Sequence, residues 1–182
     1  MTDPSSSPEA ARDVPTDHDS TQPAQRMQST IRAMRFGRGV RIVEPVNLYG
    51  SEIGDEAFIG PFVEIQSQVR IGKRTRIQSH SFICQFVTIG DDCFIGHGVM
   101  FANDLFRNGA PDPDPASWGR TEIGDRVTIG SNATLLPVRI CSGAVIGAGA
   151  VVTRDITQPG TYLGNPARLS RAFSTTPGDD EA

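Results

Sequence analysis

Hydrophobic residues recur every six positions along most of this chain. The series runs from Phe36 to Phe101 and resumes from Ile123 to Val152, and every member is Ile, Leu, Val or Phe. A small or β-branched residue follows most members four positions later, and a glycine often follows directly. An α-helix would repeat about every 3.6 residues and a flat strand every two. The pattern therefore predicts short strands separated by tight corners.

Six-residue repeats of this kind wind into a parallel β-helix with three strands in each coil, so that residues eighteen apart stack. The series predicts an all-β fold of about six triangular coils. Its regular step is broken after Leu48, Phe101 and Leu135, which is always after the third strand of a coil counted from Phe36. One corner of the prism is therefore expected to absorb two one-residue deletions and one long loop over residues 104–122.

The two ends of the chain differ from its centre in charge. Residues 1–26 hold five acids and two bases, and residues 173–182 hold three acids and no base, whereas the whole chain carries a net charge of −4. Both ends are rich in Ser, Thr, Pro and Asp, a composition that buries too little apolar surface to offset the entropy of ordering. We predict disordered acidic tails over 1–30 and 173–182 around one domain over 31–172.

Several classes of protein are disfavoured by the composition. Three cysteines are too few for a disulfide scaffold, and they fall on positions of the repeat, which favours packing roles and a reducing, cytoplasmic setting. No apolar run is long enough to span a membrane, and residues 1–26 lack the apolar centre of a signal peptide. The basic cluster Arg70–Arg76 is short and the chain is acidic, so we expect no nucleic-acid binding.

Two histidines are brought together by the repeat. Because residues eighteen apart stack, His97 is expected over Ser79, with His80 next to it. Strands about 4.8 Å apart and residues about 3.3 Å apart along a strand place the two Cα atoms about 6 Å from each other. Neutral histidine is the commonest general base near pH 7. We predict that His80 is the catalytic base or the group that orients the substrate accepting the transferred group, with His97 as the second candidate.

A reaction that places negative charge on a carbonyl oxygen needs hydrogen-bond donors for that oxyanion. Backbone N–H groups at glycine-rich corners can supply such contacts without side chains. The sequence makes Gly96 and Gly98, which flank His97, the candidates for this role.

Three features together resemble the hexapeptide-repeat acyltransferases over about residues 36–171. They are the repeat, the insertion that follows "GVMFANDLF", and the ending "IGAGAVVTRDITQPGTYLGNPARL". The resemblance implies a left-handed β-helix with a short C-terminal extension, assembly as a homotrimer, and acetyl-CoA as the acyl donor.

Within that family, the chain is most similar to N-acetyltransferases that act on amino groups of nucleotide-linked amino sugars. The similarity lies in the segments "IQSH" at 77–80 and "FAN" at 101–103. Two departures concern the acceptor pocket: that branch often has Asn at the position of His80, and Gly60-Pro61-Phe62 stands where it has Trp-His-Phe. The resemblance implies substrate-binding roles for Gln78, Asn103, Asp104 and Glu64.

The C-terminal coils match positions that contact pantetheine or phosphate in related enzymes. These cofactor-binding positions are Ala148, Arg154, Asn165 and Arg168, and the planar fork of arginine suits phosphate. The long loop resembles an arm that packs on the next subunit and helps wall the active site. Its Trp118 is expected either to anchor the loop or to stack on a base.

Three other functions compete with N-acetylation. An O-acetyltransferase on a sugar or another small hydroxyl compound is the nearest alternative, and a non-catalytic β-helix scaffold is the second. The same prism hosts a zinc-dependent carbonic anhydrase class, which needs three histidines around one metal. Outside the N-terminal tail this chain has only two, so no metal is expected.

Overall fold

The computed structural model describes residues 28–173, whose strands form three parallel sheets on the faces of a triangular prism. Sheet A contains β1 (Ile31–Arg32), β4 (Asn47–Tyr49), β7 (Glu64–Ile65), β10 (Phe82–Ile83), β13 (Met100–Phe101), β16 (Thr134–Leu135) and β19 (Val151–Val152). Sheet B contains β2 (Arg35–Phe36), β5 (Glu52–Ile53), β8 (Arg70–Ile71), β11 (Val87–Ile89), β14 (Thr121–Ile123) and β17 (Arg139–Ile140). Sheet C contains β3 (Arg41–Ile42), β6 (Phe58–Ile59), β9 (Arg76–Ile77), β12 (Phe94–Ile95), β15 (Thr128–Ile129), β18 (Val145–Ile146), β20 (Gly160–Leu163) and, antiparallel to β20, β21 (Arg168–Ala172).

From β1 to β19, neighbouring strands of each sheet are three strands apart in the chain, which confirms the predicted parallel β-helix. Ile77 pairs with Ile95, as the eighteen-residue stacking requires. The helix has about seven coils where six were predicted. The difference arises at the two ends of the helix. At the start, β1 precedes the strand of Phe36, and at the end Ile156, which bridges to Ile140, and β20 extend sheets B and C. The arrangement is consistent with left-handed winding.

The AB corner, between sheets A and B, absorbs the irregular steps. The connections β4–β5, β13–β14 and β16–β17 all run from sheet A to sheet B, as predicted from the spacing. The long insertion between β13 and β14 contains a single 3₁₀ turn at Pro115–Ser117, so it is more ordered than the unstructured loop that we expected. The other two corners keep a constant step because each of their turns must hydrogen-bond to the coil above and below.

The core consists of the repeat's large residues stacked in columns. Ile59, Ile77, Ile95 and Ile129 are completely buried in sheet C, and each such side chain contributes about 1.5–3 kcal/mol relative to exposure. The series is less buried in the first coil, which has no coil beneath it: Phe36 is 42% exposed and Ile42 is only partly buried.

Buried hydroxyls at the small inward positions are satisfied by the backbone. Thr75 donates to the carbonyl oxygen of Gly90 at 2.8 Å, and Ser81 donates to that of Gly96 at 2.9 Å. These contacts join successive coils at the same corner and leave neither hydroxyl unpaired.

Regular structure begins at Ile31 and extends through Ala172. The tails were predicted over 1–30 and 173–182, and most of their residues, 1–27 and 174–182, lie outside the described residues, so their disorder stays a prediction. Within residues 28–173, no helix is both long and apolar enough to cross a bilayer.

Candidate functional site

The two histidines lie at the CA corner, where sheet C turns into sheet A. The His97 ring stands over Ser79, and its Nδ1 is 2.8 Å from the Ser79 hydroxyl oxygen. His80 is the next residue, in the left-handed backbone region with φ of 63°. Both side chains are exposed. The stacking that the repeat predicted for this pair is therefore present.

The His80 ring is held from one side only. It stacks on the ring of Phe62 in the preceding coil, with centroids 4.8 Å apart and an interplanar angle of 28°. The position one coil further along is Gly98, whose N–H donates to the carbonyl of Ser79. Because Gly98 has no side chain, the other face of the His80 ring is left open.

Asn132 forms the far wall of this gap, on the side of Gly98 away from His80. Its backbone N–H donates to the carbonyl of His97 at 2.8 Å, which places it one coil beyond Gly98. A Cβ on Gly98 would overlap the Asn132 side-chain oxygen. Our sequence reasoning missed Asn132 as a site residue, although the repeat had already placed its turn in this column.

Replacing Gly98 with alanine is expected to damage the site more than the fold. The new Cβ would overlap the Asn132 side-chain oxygen and push that side chain away, and alanine would have to adopt a φ of 65°, which it disfavours. We expect about 1 kcal/mol of lost stability and a much larger proportional loss of activity. Thermal melting and steady-state kinetics measure the two effects separately, and a variant with full activity would exclude the gap from the site.

The predicted oxyanion donors are wrong in this chain. The N–H of Gly96 donates to the carbonyl of Ile129 at 2.8 Å, and that of Gly98 donates to the carbonyl of Ser79 at 3.0 Å. Both donors are consumed because a parallel β-helix uses these backbone groups to join one coil to the next.

Two of the residues predicted to bind the acceptor substrate, Gln78 and Glu64, lie near the CA corner. Gln78 precedes Ser79 at the end of β9 and is half-buried, with glycines at the stacked positions on both sides. Glu64 lies on the outer face of sheet A, two residues after Phe62, and accepts a hydrogen bond from the Gln66 amide at 3.4 Å. Burial and, second, the negative charge of Glu64 raise the pKa of Tyr49.

The other two predicted acceptor residues lie at the opposite edge of sheet A. Asn103 stands at the AB corner, where its amide donates to the carbonyl of Gln85 at 3.3 Å and its own carbonyl accepts from Gly119 at 2.7 Å. The loop that follows therefore begins and ends at one point. Within one chain, the width of sheet A separates this loop from His80 and His97.

Asp104 and Trp118 organise the loop itself. The two carboxylate oxygens of Asp104 accept from the N–H groups of Phe106 and Asp112, at 2.8 and 2.7 Å. The Trp118 indole donates to the carbonyl of Asp112 at 3.0 Å, so of the two roles considered for it the structure shows the anchor. The pKa of Asp112 is lowered, chiefly by its hydrogen bond to the N–H of Asp114.

The predicted cofactor residues divide between two corners. Ala148 lies in the same CA column as the histidines, because Gly149 donates to the carbonyl of Ser131, which stands one coil above His97. Two coils separate His97 from Ala148, or about 10 Å. Asn165 follows β20 at the top of this column, whereas Arg154 lies at the AB corner and Arg168 is exposed on β21.

The cysteines pack within the fold and are not placed for catalysis. Cys84 and Cys93 are buried, and burial raises the thiol pKa of Cys84 to about 12 and also raises that of Cys93. A thiol that stays protonated is a poor nucleophile. Among residues 28–173, no three His, Cys, Asp or Glu side chains are grouped so as to hold a metal ion.

Two family models match the repeat region. The hexapeptide repeat of succinyl-transferase matches residues 86–100 and 120–154, and the bacterial transferase hexapeptide (six repeats) matches residues 50–85. A curated relative, the bifunctional protein GlmU of Clavibacter sepedonicus, is 39% identical over 108 residues, which is 59% of this chain. The match spans only a fifth (20%) of the length of that relative.

Solved structures share the fold. A hexapeptide-repeat-containing acetyltransferase of Vibrio cholerae, crystallised with acetyl coenzyme A, is 25% identical with a TM-score of 0.59 over 69% of this chain and 72% of that one. AntD, an N-acyltransferase from Bacillus cereus in complex with dTDP and coenzyme A, is 22% identical with a TM-score of 0.62 over 79% of this chain and 86% of that one. By these matches, residues 50–100 and 120–154 are hexapeptide repeats of the kind found in bacterial transferases, in a fold that the chain shares with the Vibrio cholerae acetyltransferase.

Proposed function

We propose that this protein is an acetyl-CoA-dependent N-acetyltransferase that acts on an amino group of a nucleotide-linked amino sugar. The observation that carries the proposal is the CA column, in which His80, the gap at Gly98, and Ala148 follow one another up a single corner. An acceptor substrate bound beside His80 and an acyl donor bound along the column from Ala148 would meet at the gap. Complexes of fold relatives with acetyl coenzyme A, and with dTDP and coenzyme A, support the two substrate classes.

The chemistry follows from the groups in the column. The acceptor nitrogen attacks the thioester carbonyl, a C–N bond forms, the C–S bond breaks, and the coenzyme A thiolate leaves. His80 takes the proton that the amine loses, from the ring edge left free by its stacking on Phe62. The Ser79 hydroxyl fixes the orientation of His97, which then positions the acceptor beside His80.

The oxyanion needs a donor other than the two glycine N–H groups. Asn132 overhangs Gly98 with its side-chain oxygen toward the gap, so a rotation of the amide is needed to turn its NH₂ donor group to the same place. We assign that NH₂ group, in the rotated position, the contact to the developing negative charge on the acetyl oxygen, because amide donors serve this role in acyl transfer.

A homotrimer would bring the separated halves of the site together. Sheet A exposes Met100 (44%) and sheet C exposes Phe94 (38%), whereas sheet B carries paired charges such as Arg35 with Glu52. We place the interface on sheet A, because this sheet joins the CA corner of the histidines to the AB corner of the loop. A neighbour packed on this face would place its loop, with Asn103 and Asp104, beside the CA corner of the first subunit.

Acetyl-CoA turnover, measured as released thiol, tests the proposed function. The acceptors are UDP- and dTDP-linked 3-amino and 4-amino sugars, each matched with the sugar that has a hydroxyl at the same carbon. We expect turnover with one amine and none with its hydroxyl partner. Turnover only with hydroxyl acceptors would establish an O-acetyltransferase instead, and failure to bind acetyl-CoA would favour a non-catalytic scaffold.

A further inference from the structure

A second cavity lies on sheet B next to the AB corner. Its volume is about 350 Å³, and three arginines and one glutamate line it: Arg35, Arg70, Arg120 and Glu52. None of its lining residues belongs to the CA column, so the acetyl-transfer chemistry proposed above makes no use of it. A volume of this size is within the range of small-molecule sites.

The glutamate does not neutralise the cavity. Glu52 is paired with Arg35, with 2.6 Å between its oxygen and the guanidinium nitrogen. Strand register places Arg70 between Glu52 and Thr88. Throughout the part of the chain that the structure describes, neither Arg70 nor Arg120 has a carboxylate within salt-bridge distance. Two positive charges therefore remain uncompensated on one concave surface.

The two arginines have neighbours that suit anion binding. The Arg120 guanidinium lies 4.7 Å from the centre of the Phe86 ring, a stacking contact that orients the planar group while leaving its N–H edge free. The hydroxyl of Thr88 and the amide of Gln68 also line the cavity. The surface thus presents an excess of hydrogen-bond donors with a positive charge.

We propose that this cavity binds the phosphate group of a small organic phosphate, with Arg70 and Arg120 as the two principal contacts. Guanidinium groups bind phosphate oxygens through paired charge-assisted hydrogen bonds, which are stronger than neutral ones. The diphosphate of a nucleotide, the phosphates of coenzyme A and free orthophosphate share this chemistry. The site is independent of the proposed acetyl transfer, which places its reaction at another corner.

Titration calorimetry on the full-length protein tests the proposal with three separate probes: UDP, coenzyme A and orthophosphate. The variant is the double substitution Arg70→Gln with Arg120→Gln. Arg139→Gln is the matched control, because Arg139 is also an exposed arginine on sheet B but is paired with Glu122 at 3.2 Å, outside the cavity. Unchanged thermal melting would show that each variant is folded.

The double variant is expected to weaken at least one probe about tenfold or more, since two charged hydrogen-bond partners are lost, while Arg139→Gln stays within about twofold. The probe that weakens identifies the source of the phosphate. Equal affinities in wild type and double variant, or no binding of any probe at millimolar concentration, would overturn the proposal. The turnover assay is separate, so either result leaves the test of acetyl transfer intact.

Discussion

Replacing His80 with alanine is expected to lower kcat about 100-fold or more, because a positioned general base contributes that much to proton transfer. The KM for acetyl-CoA should change little, since His80 lies at the lower end of the CA column, away from Ala148. The ring is exposed and packs on one face only, so the variant should melt close to wild type. Steady-state kinetics over a range of pH measures the loss, and the acid limb of kcat/KM should disappear with the base.

Two further variants separate the roles of the histidines. Ser79→Ala removes the hydroxyl 2.8 Å from His97 Nδ1 and leaves His80 and its Phe62 contact unchanged. If His97 only positions the acceptor, Ser79→Ala and His97→Ala should raise KM for the acceptor and leave the pH profile in place. A pH limb that vanishes in His97→Ala but survives in His80→Ala would instead make His97 the base.

Removing the insertion is expected to abolish acetyl transfer, with a loss of at least about 100-fold, because a site lacking its acceptor wall no longer holds the reacting atoms in line. Residues 104–118 can be replaced by a Gly-Ser-Gly turn, since Gly119 donates to the carbonyl of Asn103 at 2.7 Å and the ends already meet. The columns of the core do not include the insertion. The variant should therefore fold, and its melting and turnover are measured together.

Mixing the two inactive proteins tests whether the loop acts on a neighbouring subunit. If each site takes His80 from one chain and the loop from the next, co-refolding His80→Ala with the loop deletion creates one complete site in every mixed trimer. Turnover should then recover to roughly a third of wild type per mixed trimer. No recovery, in mixtures that light scattering shows to be trimers, would place the loop on its own chain's site; monomers would remove the trimer from the proposal.

Two features of the candidate site, the pairing of His97 with Ser79 and the open face of His80, differ in how far the sequence could predict them. The pairing of His97 with Ser79 follows directly from the eighteen-residue stacking, because any outward residue of a regular coil has a known neighbour. The open face of His80 does not follow in the same way. It depends on Phe62 filling one side and Asn132 overhanging the other, which are choices of side-chain direction that a periodic pattern leaves free.

Backbone hydrogen bonds explain the clearest error. The glycine-rich sequence around Gly96 and Gly98 is typical of oxyanion donors, but a sequence does not show in which direction an N–H group points. In the folded chain the N–H of Gly96 donates to Ile129 in the following coil at 2.8 Å, and that of Gly98 donates to Ser79 in the preceding coil at 3.0 Å. The prediction from this local motif was wrong because hydrogen bonds between coils, which join residues far apart in the sequence, already use both N–H groups.

By itself, the sequence determined the parallel β-helix, the corner that absorbs insertions, and the juxtaposition of His80 with His97. These follow from one repeated constraint, that each coil must bury its apolar residues against the next. Only the tertiary structure decided that Asn132 overhangs Gly98 and that Arg70 and Arg120 share a cavity. Such relations depend on side-chain directions, which are set by packing between coils.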